Sequence, residues 1–265
     1  MLVRLGSTTA GRRGLAMAAA AESAAVSAVS GAVGAALLRV QERVAAAGRR
    51  SGRPEGSTAL VAVGKTKPVA LLREAYDAGQ RVFGENYAQE LVEKAPQLPG
   101  DVQWHFIGHL QSNKAKALLE KVPNLVCVET VDTPKLASRL DRLAEGRPSP
   151  LQIMIQVNTS GEASKHGVEP AECVGMAKHI REECPNLVLG GLMTIGMPDY
   201  TSRPENFTTL SRCREEVAQA LQVDEESLGL SMGMSGDFEN AIGMGSTSVR
   251  VGSTIFGARE YPNKK

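Results

Sequence analysis

Eight short apolar segments recur along the chain, and this repetition constrains the fold more than any other feature. Their cores are nearly continuous in apolar residues, as expected for strands in a sheet that is covered on both faces. Stretches with helical periodicity, such as VALLREAYDAG (69–79), separate most of them. The eight segments are LVAVGK (60–65), RVFGE (81–85), QWHFIG (103–108), NLVCVET (124–130), LQIMIQVN (151–158), LVLGGLMTI (187–195), GLSMGM (229–234) and SVRVGSTIFG (248–257).

Strand candidates that alternate with helices predict a parallel β/α architecture. Eight such units within residues 60–257 fit a single compact (β/α)8 TIM-type barrel. An open doubly wound sheet is the alternative, but the G-x-G-x-x-G turn typical of that fold does not follow the first strand. Ahead of the barrel, an Ala-rich stretch from Val26 to about Arg49 has apolar residues near helical spacing and predicts an added N-terminal helix.

Charge and composition exclude several classes of partner. The chain has 30 Lys and Arg against 29 Asp and Glu, a net charge of +1, whereas a protein built to bind nucleic acid needs a surplus of cations. Aromatic residues make up only 4%, too few for a surface that stacks bases. No run of about 18 apolar residues occurs, so the sequence predicts no membrane span. We expect neither nucleic acid nor membrane as a partner.

The first 21 residues differ from the rest of the chain. They contain Arg4, Arg12 and Arg13 but no acidic residue, and the first acid is Glu22. This composition is typical of a disordered leader or of an organelle transit peptide. We therefore predict a leader over residues 1–21 and one barrel domain over residues 22–265. The expected location is the cytoplasm, or a mitochondrion or plastid if the leader is a transit peptide.

The histidines and cysteines do not predict a metal site. No C-x-x-C pair occurs, so neither a zinc knuckle nor a redox dithiol is indicated. His105 and His109 have the i, i+4 spacing that can bind a metal on a helix. His105 instead lies in the strand-like segment WHFIG and His109 directly after it, which is a poor ligand geometry.

Lys65 is the most informative polar residue at a predicted strand end, where the functional groups of a barrel collect. A lysine there can form an imine with a carbonyl ligand, and burial and the nearby Lys67 would both lower its pKa and favour the neutral amine. The alternative is a lysine whose stem leaves the strand and whose ammonium reaches water. A Walker A loop is excluded, because Ala59 stands where that motif needs its first glycine.

Two Gly- and Ser-containing segments, SMGMSGD (231–237) and VRVGSTIFG (249–257), overlap the last two predicted strands. Ser235 ends the seventh, and Arg250, Gly252 and Ser253 are expected on the eighth. Barrels frequently bind phosphate with the loops after these two strands, so Ser235, Gly252 and Ser253 are candidate phosphate ligands. Arg250, inside the apolar eighth segment, either pairs structurally or faces a ligand. A guanidinium there can hydrogen-bond to an unprotonated ring nitrogen but cannot protonate it. A lysine, a phosphate site and an arginine together suggest pyridoxal 5′-phosphate.

Long motifs along the chain strengthen this interpretation. The sequence resembles the pyridoxal phosphate homeostasis protein family from about residue 35 to residue 262, and the leader lies outside the match. The motifs that carry the resemblance are VAVGKTKP (61–68), FGENYAQE (83–90), WHFIGHLQSNK (104–114), QVNTSGEASKHG (156–167), GLMTIG (191–196), LSMGMSGDFENAI (230–242) and VRVGSTIFGAREY (249–261).

The resemblance implies a barrel like the N-terminal domain of alanine racemase and a set of site residues. It implies that Lys65 carries the cofactor as an internal aldimine, that Asn86 lies beside it, and that Arg250 meets the pyridine nitrogen. It further implies that Ser235, Gly252 and Ser253 hold the phosphate. One departure is Gly64, where many members have Ser before the lysine; it removes no proposed ligand.

The resemblance also implies a protein that buffers or delivers the cofactor without strong catalytic activity. The C-terminal domain that supplies a second acid–base residue in alanine racemases is expected to be absent, and Arg250 would weaken the ring as an electron sink. The alternatives are a racemase-like enzyme with weak activity and a cofactor-free Schiff-base aldolase. We expect a monomer, with PLP-dependent apo-enzymes as candidate recipients.

Overall fold

The computed structural model describes residues 31–162, 166–195 and 204–258. Eight parallel strands follow one another in chain order around a closed barrel, as the sequence predicts. Each strand coincides with one of the eight apolar segments. The strands are β1 (Ala59–Val63), β2 (Val82–Glu85), β3 (Gln103–Phe106), β4 (Leu125–Val131), β5 (Leu151–Gln156), β6 (Leu187–Met193), β7 (Gly229–Met234) and β8 (Ser248–Val251).

Helices connect the strands and cover the outside of the barrel. Thr133 shows how one begins: its side chain accepts a hydrogen bond from the amide of Leu136, and Pro134 occupies the first turn. The helices described are α1 (Ala32–Arg50), α2 (Val69–Asp77), α3 (Ala88–Lys94), α4 (Ser112–Lys121), α5 (Pro134–Ala144), α6 (Cys173–Glu183), α7 (Pro204–Leu221), α8 (Phe238–Gly243) and α9 (Ser253–Phe256), with 3₁₀ turns at Ala95–Gln97, Pro170–Glu172 and Glu225–Ser227.

The barrel closes where β1 pairs with both β2 and β8. Ala62 is in register with Phe83 of β2, and Leu60 with Val249 of β8. Most buried apolar side chains from the strands and helices form one large core, which includes the contact between Phe83 and Trp104, with ring centroids 5.8 Å apart. Cys127, Met154 and Met193 form a second, small cluster. Because all eight strands are parallel, their carboxyl ends meet at one mouth, and the ends of β7, β8 and β1 are neighbours there.

Helix α1 is the predicted N-terminal helix, and it packs against α2, α8 and α9. Its first turn is held by Glu74 of α2, whose Oε1 accepts hydrogen bonds from the amides of Val33 and Gly34. On the other side, the Arg43 guanidinium lies 4.6 Å from the ring centroid of Phe238 in α8. The added helix therefore supports the short helices that follow β7 and β8.

The structure corrects one detail of the sequence interpretation. The eighth apolar segment was expected to carry Arg250, Gly252 and Ser253 on one strand, but β8 ends at Val251. Gly252 follows the strand and Ser253 begins α9. The chain turns at this point because the amides of Ile255 and Phe256 both donate to the Gly252 carbonyl, which closes a helical turn.

Some expectations concern residues outside those described. The predicted leader (1–21) and the start of the first helix lie there, so the division at residue 22 stays a prediction. Within residues 31–162, 166–195 and 204–258, none of the helices is both long enough and apolar enough to cross a bilayer.

Candidate functional site

A cavity of about 590 Å³ opens at the mouth formed by the carboxyl ends of β7, β8 and β1. All six residues proposed from the sequence line it, although they come from four separate segments of the chain. Its polar and apolar walls together suit a small organic ligand. The lining residues are Val63, Lys65, Lys67, Asn86, Ile107, Ile195, Met234, Ser235, Gly236, Arg250, Gly252, Ser253, Thr254, Gly257 and Ala258.

Lys65 projects from a short turn that follows β1, and it is half-buried. Both of its neighbours in the chain are fixed by side chains of α3. The carbonyl of Gly64 accepts a hydrogen bond of 2.8 Å from Lys94 Nζ. The amide of Thr66 donates to Glu90 Oε1 at 2.7 Å. Thr66 has a φ of 64°, in the left-handed region that a β-branched residue rarely adopts.

Three charged groups meet behind this turn. Lys94 Nζ lies 2.7 Å from Glu85 Oε1 and 2.6 Å from Glu90 Oε1. The side chain of Lys94 is only 7% exposed and that of Glu85 is 0% exposed. Burial raises the pKa of Glu85 to about 7, although the charge of Lys94 opposes the shift. Glu85 is therefore partly protonated near neutral pH.

The loops after β7 and β8 form the opposite wall, which we call the phosphate cup and define as Ser235, Gly236, Gly252, Ser253 and Thr254. The two loops are joined by a hydrogen bond of 3.2 Å from the amide of Gly252 to Ser235 Oγ. A Cβ at Gly252 would lie 3.1 Å from the Val63 carbonyl, so the close approach of this loop to β1 favours glycine. The cup thus brings three hydroxyl-bearing residues and two glycines to one wall of the cavity.

Asn86 follows β2, and its backbone is packed tightly against the loop after β3. A Cβ placed on Gly108 would lie 1.9 Å from the Asn86 carbonyl oxygen, so only glycine permits this contact. The carbonyl of Gly108 in turn accepts a hydrogen bond of 2.6 Å from the buried Thr130 hydroxyl. Asn86 is thereby held at the edge of the cavity that Lys65 lines.

Arg250 is structurally paired and also lines the cavity; that it faces a ligand stays a prediction. Its guanidinium donates to Ser231 Oγ and, at 2.7 Å, to the carbonyl of Thr194. Its Nη1 also lies 3.8 Å from Glu129 Oε2. Burial lowers the pKa of Arg250 from its ordinary value, while the charges of Glu129 and Asp237 oppose the shift.

Glu129 is the centre of the buried network beneath the cavity. Its two oxygens contact His105 Nδ1 and Ser231 Oγ, each at 2.6 Å. Burial acts to raise the pKa of Glu129, but the hydrogen bond and charge of His105, together with Arg250, bring it below its ordinary value. A buried carboxylate therefore balances a buried guanidinium at the bottom of the cavity.

Sequence reasoning singled out neither Glu129 nor Lys94. Glu129 carried a signal, since it is a charged residue inside the otherwise apolar segment NLVCVET. Lys94 carried none, because it lies on a helix with charged neighbours and looks like an ordinary surface lysine. Its burial depends on the contact between α3 and the end of β1, which local pattern does not reveal.

The structure separates His105 from His109. The His105 side chain lies close to those of Cys127 and Glu129, whereas the His109 side chain lies close to those of Asp132 and His166. The rings of His109 and His166 are stacked, with centroids 3.7 Å apart and planes 12° apart. Nitrogen lone pairs lie in the ring plane, so stacked rings do not direct them at one ion. The absence of a metal site stays a prediction.

Comparisons with known proteins agree with this geometry. The family model for the alanine racemase N-terminal domain matches residues 35–260. Alanine racemase from Corynebacterium glutamicum shares the fold, with a TM-score of 0.60 at 15% identity over 86% of this chain and 63% of that one. The fold and the family model therefore define a barrel of the alanine racemase N-terminal class.

Similarity to a narrower group is much higher. The human pyridoxal phosphate homeostasis protein is 48% identical over 244 residues, which is 88% of each chain. The Vibrio cholerae protein of that name is 46% identical over 84% of this chain and 94% of its own. The structure of PipY from Synechococcus elongatus with PLP bound has a TM-score of 0.64 at 34% identity, over 82% of this chain and 100% of that one. The chain belongs to the pyridoxal phosphate homeostasis protein family.

Proposed function

We propose that this chain binds pyridoxal 5′-phosphate in the cavity at the barrel mouth and serves intracellular cofactor homeostasis by holding it for buffering or delivery. The observation that carries the proposal is the convergence of an amine, the phosphate cup and a buried guanidinium on one cavity of about 590 Å³. Cavities of this size accommodate single cofactor-sized ligands. The name shared by the relatives, and the PLP bound to PipY, support the same ligand.

The donor set fits the parts of this cofactor. Lys65 is the amine for the aldehyde, and Asn86 lies at the edge of the same space. Ser235 and Ser253 offer hydroxyl groups to the phosphate. The Gly252 amide, which here donates to Ser235 Oγ, would turn to the phosphate on binding. Arg250 is the proposed partner of the ring nitrogen. A guanidinium can donate a hydrogen bond to that nitrogen but cannot protonate it. When bound, the cofactor supplies a reactive aldehyde and an electron-withdrawing ring.

The surroundings of Arg250 favour holding over rapid catalysis. Glu129 and Ser231 keep the guanidinium charged and in place at the bottom of the cavity. A hydrogen bond from this group leaves the ring nitrogen unprotonated, so the ring accepts negative charge less well than a protonated one. The proposal is therefore a carrier with at most slow activity on amino acids, and PLP-dependent apo-enzymes are the proposed recipients. We further propose a monomer that acts in the cytoplasm, or in an organelle if residues 1–21 are a transit peptide.

Visible absorbance on titration with PLP tests the binding. Wild-type protein should develop an absorbance band that Lys65→Ala abolishes and the control Lys67→Ala retains. The cofactor-free aldolase alternative predicts no such band in the wild type. If Lys67→Ala lost the band and Lys65→Ala kept it, Lys67 and not Lys65 would be the lysine that binds the aldehyde.

The racemase-like alternative is tested by α-proton exchange in deuterated buffer with a panel of amino acids. We expect exchange far below ordinary enzyme turnover, since a ring whose nitrogen is only hydrogen-bonded by Arg250 has reduced electron-withdrawing power. Exchange that depends on Lys65 and reaches about 1 per second or faster would support an enzyme instead.

A further inference from the structure

Lys94, Glu85 and Glu90 form a charged cluster behind the turn that carries Lys65. None of the three is among the residues that line the cavity within the described chain, so the cluster has no direct contact with a ligand there. Lys94 and Glu85 are almost completely buried. Such a cluster needs an explanation, since charged side chains are rarely buried without a role or a partner.

Fold stability alone is a weak explanation for this cluster. Removing a lysine and a carboxylate from water costs more than their attraction commonly returns, and apolar side chains of similar volume often do as well. One carboxylate oxygen, Glu85 Oε2, is buried without a hydrogen-bond partner in the described part of the chain. Burying these charged groups behind the turn therefore contributes less to stability than apolar side chains of similar volume commonly would.

Side chains of the cluster form hydrogen bonds with the backbone of the residues on either side of Lys65. Lys94 Nζ donates to the carbonyl of Gly64, and Glu90 Oε1 accepts from the amide of Thr66. Lys94 and Glu90 also contact each other at 2.6 Å, so the two constraints form one unit. Thr66 has a φ of 64°, which an unconstrained chain with a β-branched residue would leave.

We propose that Lys94 is a positioning residue for Lys65: together with Glu90 it fixes the turn at residues 64–66 so that the Lys65 amine faces the phosphate cup. The inference rests on the proposed function, because it assigns a purpose to the direction of Lys65. The amine of a flexible lysine must be held near the aldehyde for a stable adduct to form, and a turn fixed at both flanking peptide groups limits where it can go.

Removal of Lys94 has two consequences for Lys65. The turn loses a charge-assisted hydrogen bond, and the adduct should be retained about 10-fold less well. A cation is lost near the turn while acidic groups remain, so the pKa of the Lys65 amine should rise and adduct formation should need a higher pH. The charged groups that face the turn or share its cavity are Glu85, Glu90, Lys67 and Arg250.

The test uses the full chain loaded with PLP and three variants. Lys94→Met removes the ammonium but keeps a side chain of similar length. Glu90→Ala removes the acceptor of the Thr66 amide from a partly exposed position, so it decides the question if Lys94→Met fails to fold. Asp141→Asn is the matched control, because Asp141 is another buried carboxylate that accepts a hydrogen bond from a backbone amide. That amide belongs to Asn186, which precedes β6 at the end of the barrel opposite the cavity.

Three quantities are measured: PLP release on dilution, the pH midpoint of adduct absorbance, and the midpoint of thermal unfolding. We expect Lys94→Met to release PLP about 10-fold faster and to raise the pH midpoint, and Glu90→Ala to release PLP faster as well. Asp141→Asn should lower the thermal midpoint with both other quantities unchanged. Wild-type values of release and pH midpoint in Lys94→Met, or in Glu90→Ala if the former does not fold, would overturn the inference. A wild-type protein without a Lys65 adduct would instead refute the proposed function.

Discussion

At the scale of single residues, the pairing of Arg250 with Glu129 decides what the bottom of the cavity can do. Both side chains are buried, at 4% and 0% exposure, and they are connected through Ser231 as well as directly. A buried guanidinium is stable only while a counter-charge and hydrogen-bond acceptors surround it. The same carboxylate that stabilises Arg250 therefore sets the electrostatics of the cavity.

Glu129→Gln should destabilise the fold, because it leaves Arg250 without its counter-charge in the interior. We expect the free energy of unfolding to fall by about 3 kcal/mol, the scale for breaking a buried pair. Urea denaturation measures it, with Glu239→Gln as the control. Glu239 pairs with Arg43 at 2.9 Å on the exposed face of α8, so its loss should cost less than about 1 kcal/mol. Equal losses in the two variants would contradict the account of Arg250.

Among the structural elements, two loops and two helices position the site. The loops after β7 and β8 are tied together by the hydrogen bond between Gly252 and Ser235, and α1 packs on the helices that follow them. On the opposite side of the cavity, α3 holds the turn after β1. The relative position of amine and phosphate cup thus depends on contacts made outside the cavity.

Ser235→Ala and Ser253→Ala should each weaken cofactor retention. Each removes a hydroxyl donor to a charged phosphate oxygen, an interaction worth roughly 1.5–3 kcal/mol, so retention should fall about 10-fold or more. PLP release on dilution is the measurement, since the bond to Lys65 can survive the loss of a phosphate contact. Ser138→Ala, which alters a hydroxyl bound to His179 on the barrel exterior, is the control. Unchanged release in both cup variants would mean that the phosphate lies elsewhere.

The contact between β2 and α3 should make stability depend on pH. The pKa of Glu85 is about 7 in the folded protein, raised by burial from an ordinary 4.5, so between these values the folded chain holds a proton that the unfolded chain has lost. Stability contributed by this group therefore falls as pH rises through that window. Relative to Glu85→Gln, the wild type should lose about 2–3 kcal/mol of unfolding free energy between pH 5 and pH 8.

Urea denaturation of both proteins across that range is the measurement. Glu93→Gln, on the exposed side of α3, controls for the loss of a carboxyl group from the same helix. A constant difference between wild type and Glu85→Gln at every pH would show that Glu85 is not held neutral by burial.

At the scale of the whole molecule, the sequence predicted the barrel because its strands are buried on both faces and stand out as apolar runs. Every strand overlaps the segment predicted for it, with only Ala59 of β1 and Val131 of β4 outside, and the six candidate site residues line one cavity. The placement of Lys65 and the phosphate cup follows from strand ends alone, since a parallel barrel brings those ends together.

What the sequence could not predict depends on contacts between distant segments. Glu129 meets Arg250 across the barrel interior, and Lys94 of α3, a helix that packs on β2, reaches the carbonyl of Gly64 after β1. The turn at Gly252 was not predicted either, because the apolar residues of α9 continue the hydrophobic pattern of β8. Local periodicity identifies an element, but it does not identify the partner that a buried charge requires.

Above all, we propose that Lys65 holds pyridoxal 5′-phosphate against the phosphate cup. The most direct measurement is borohydride reduction of the PLP-loaded wild-type protein, followed by proteolysis and mass spectrometry of the labelled peptides. We expect one pyridoxyl phosphate group per chain, located on Lys65, the amine that lines the cavity together with Ser235, Gly252 and Ser253. A label found mainly on Lys67 or on another lysine, or no stable label at all, would contradict the account.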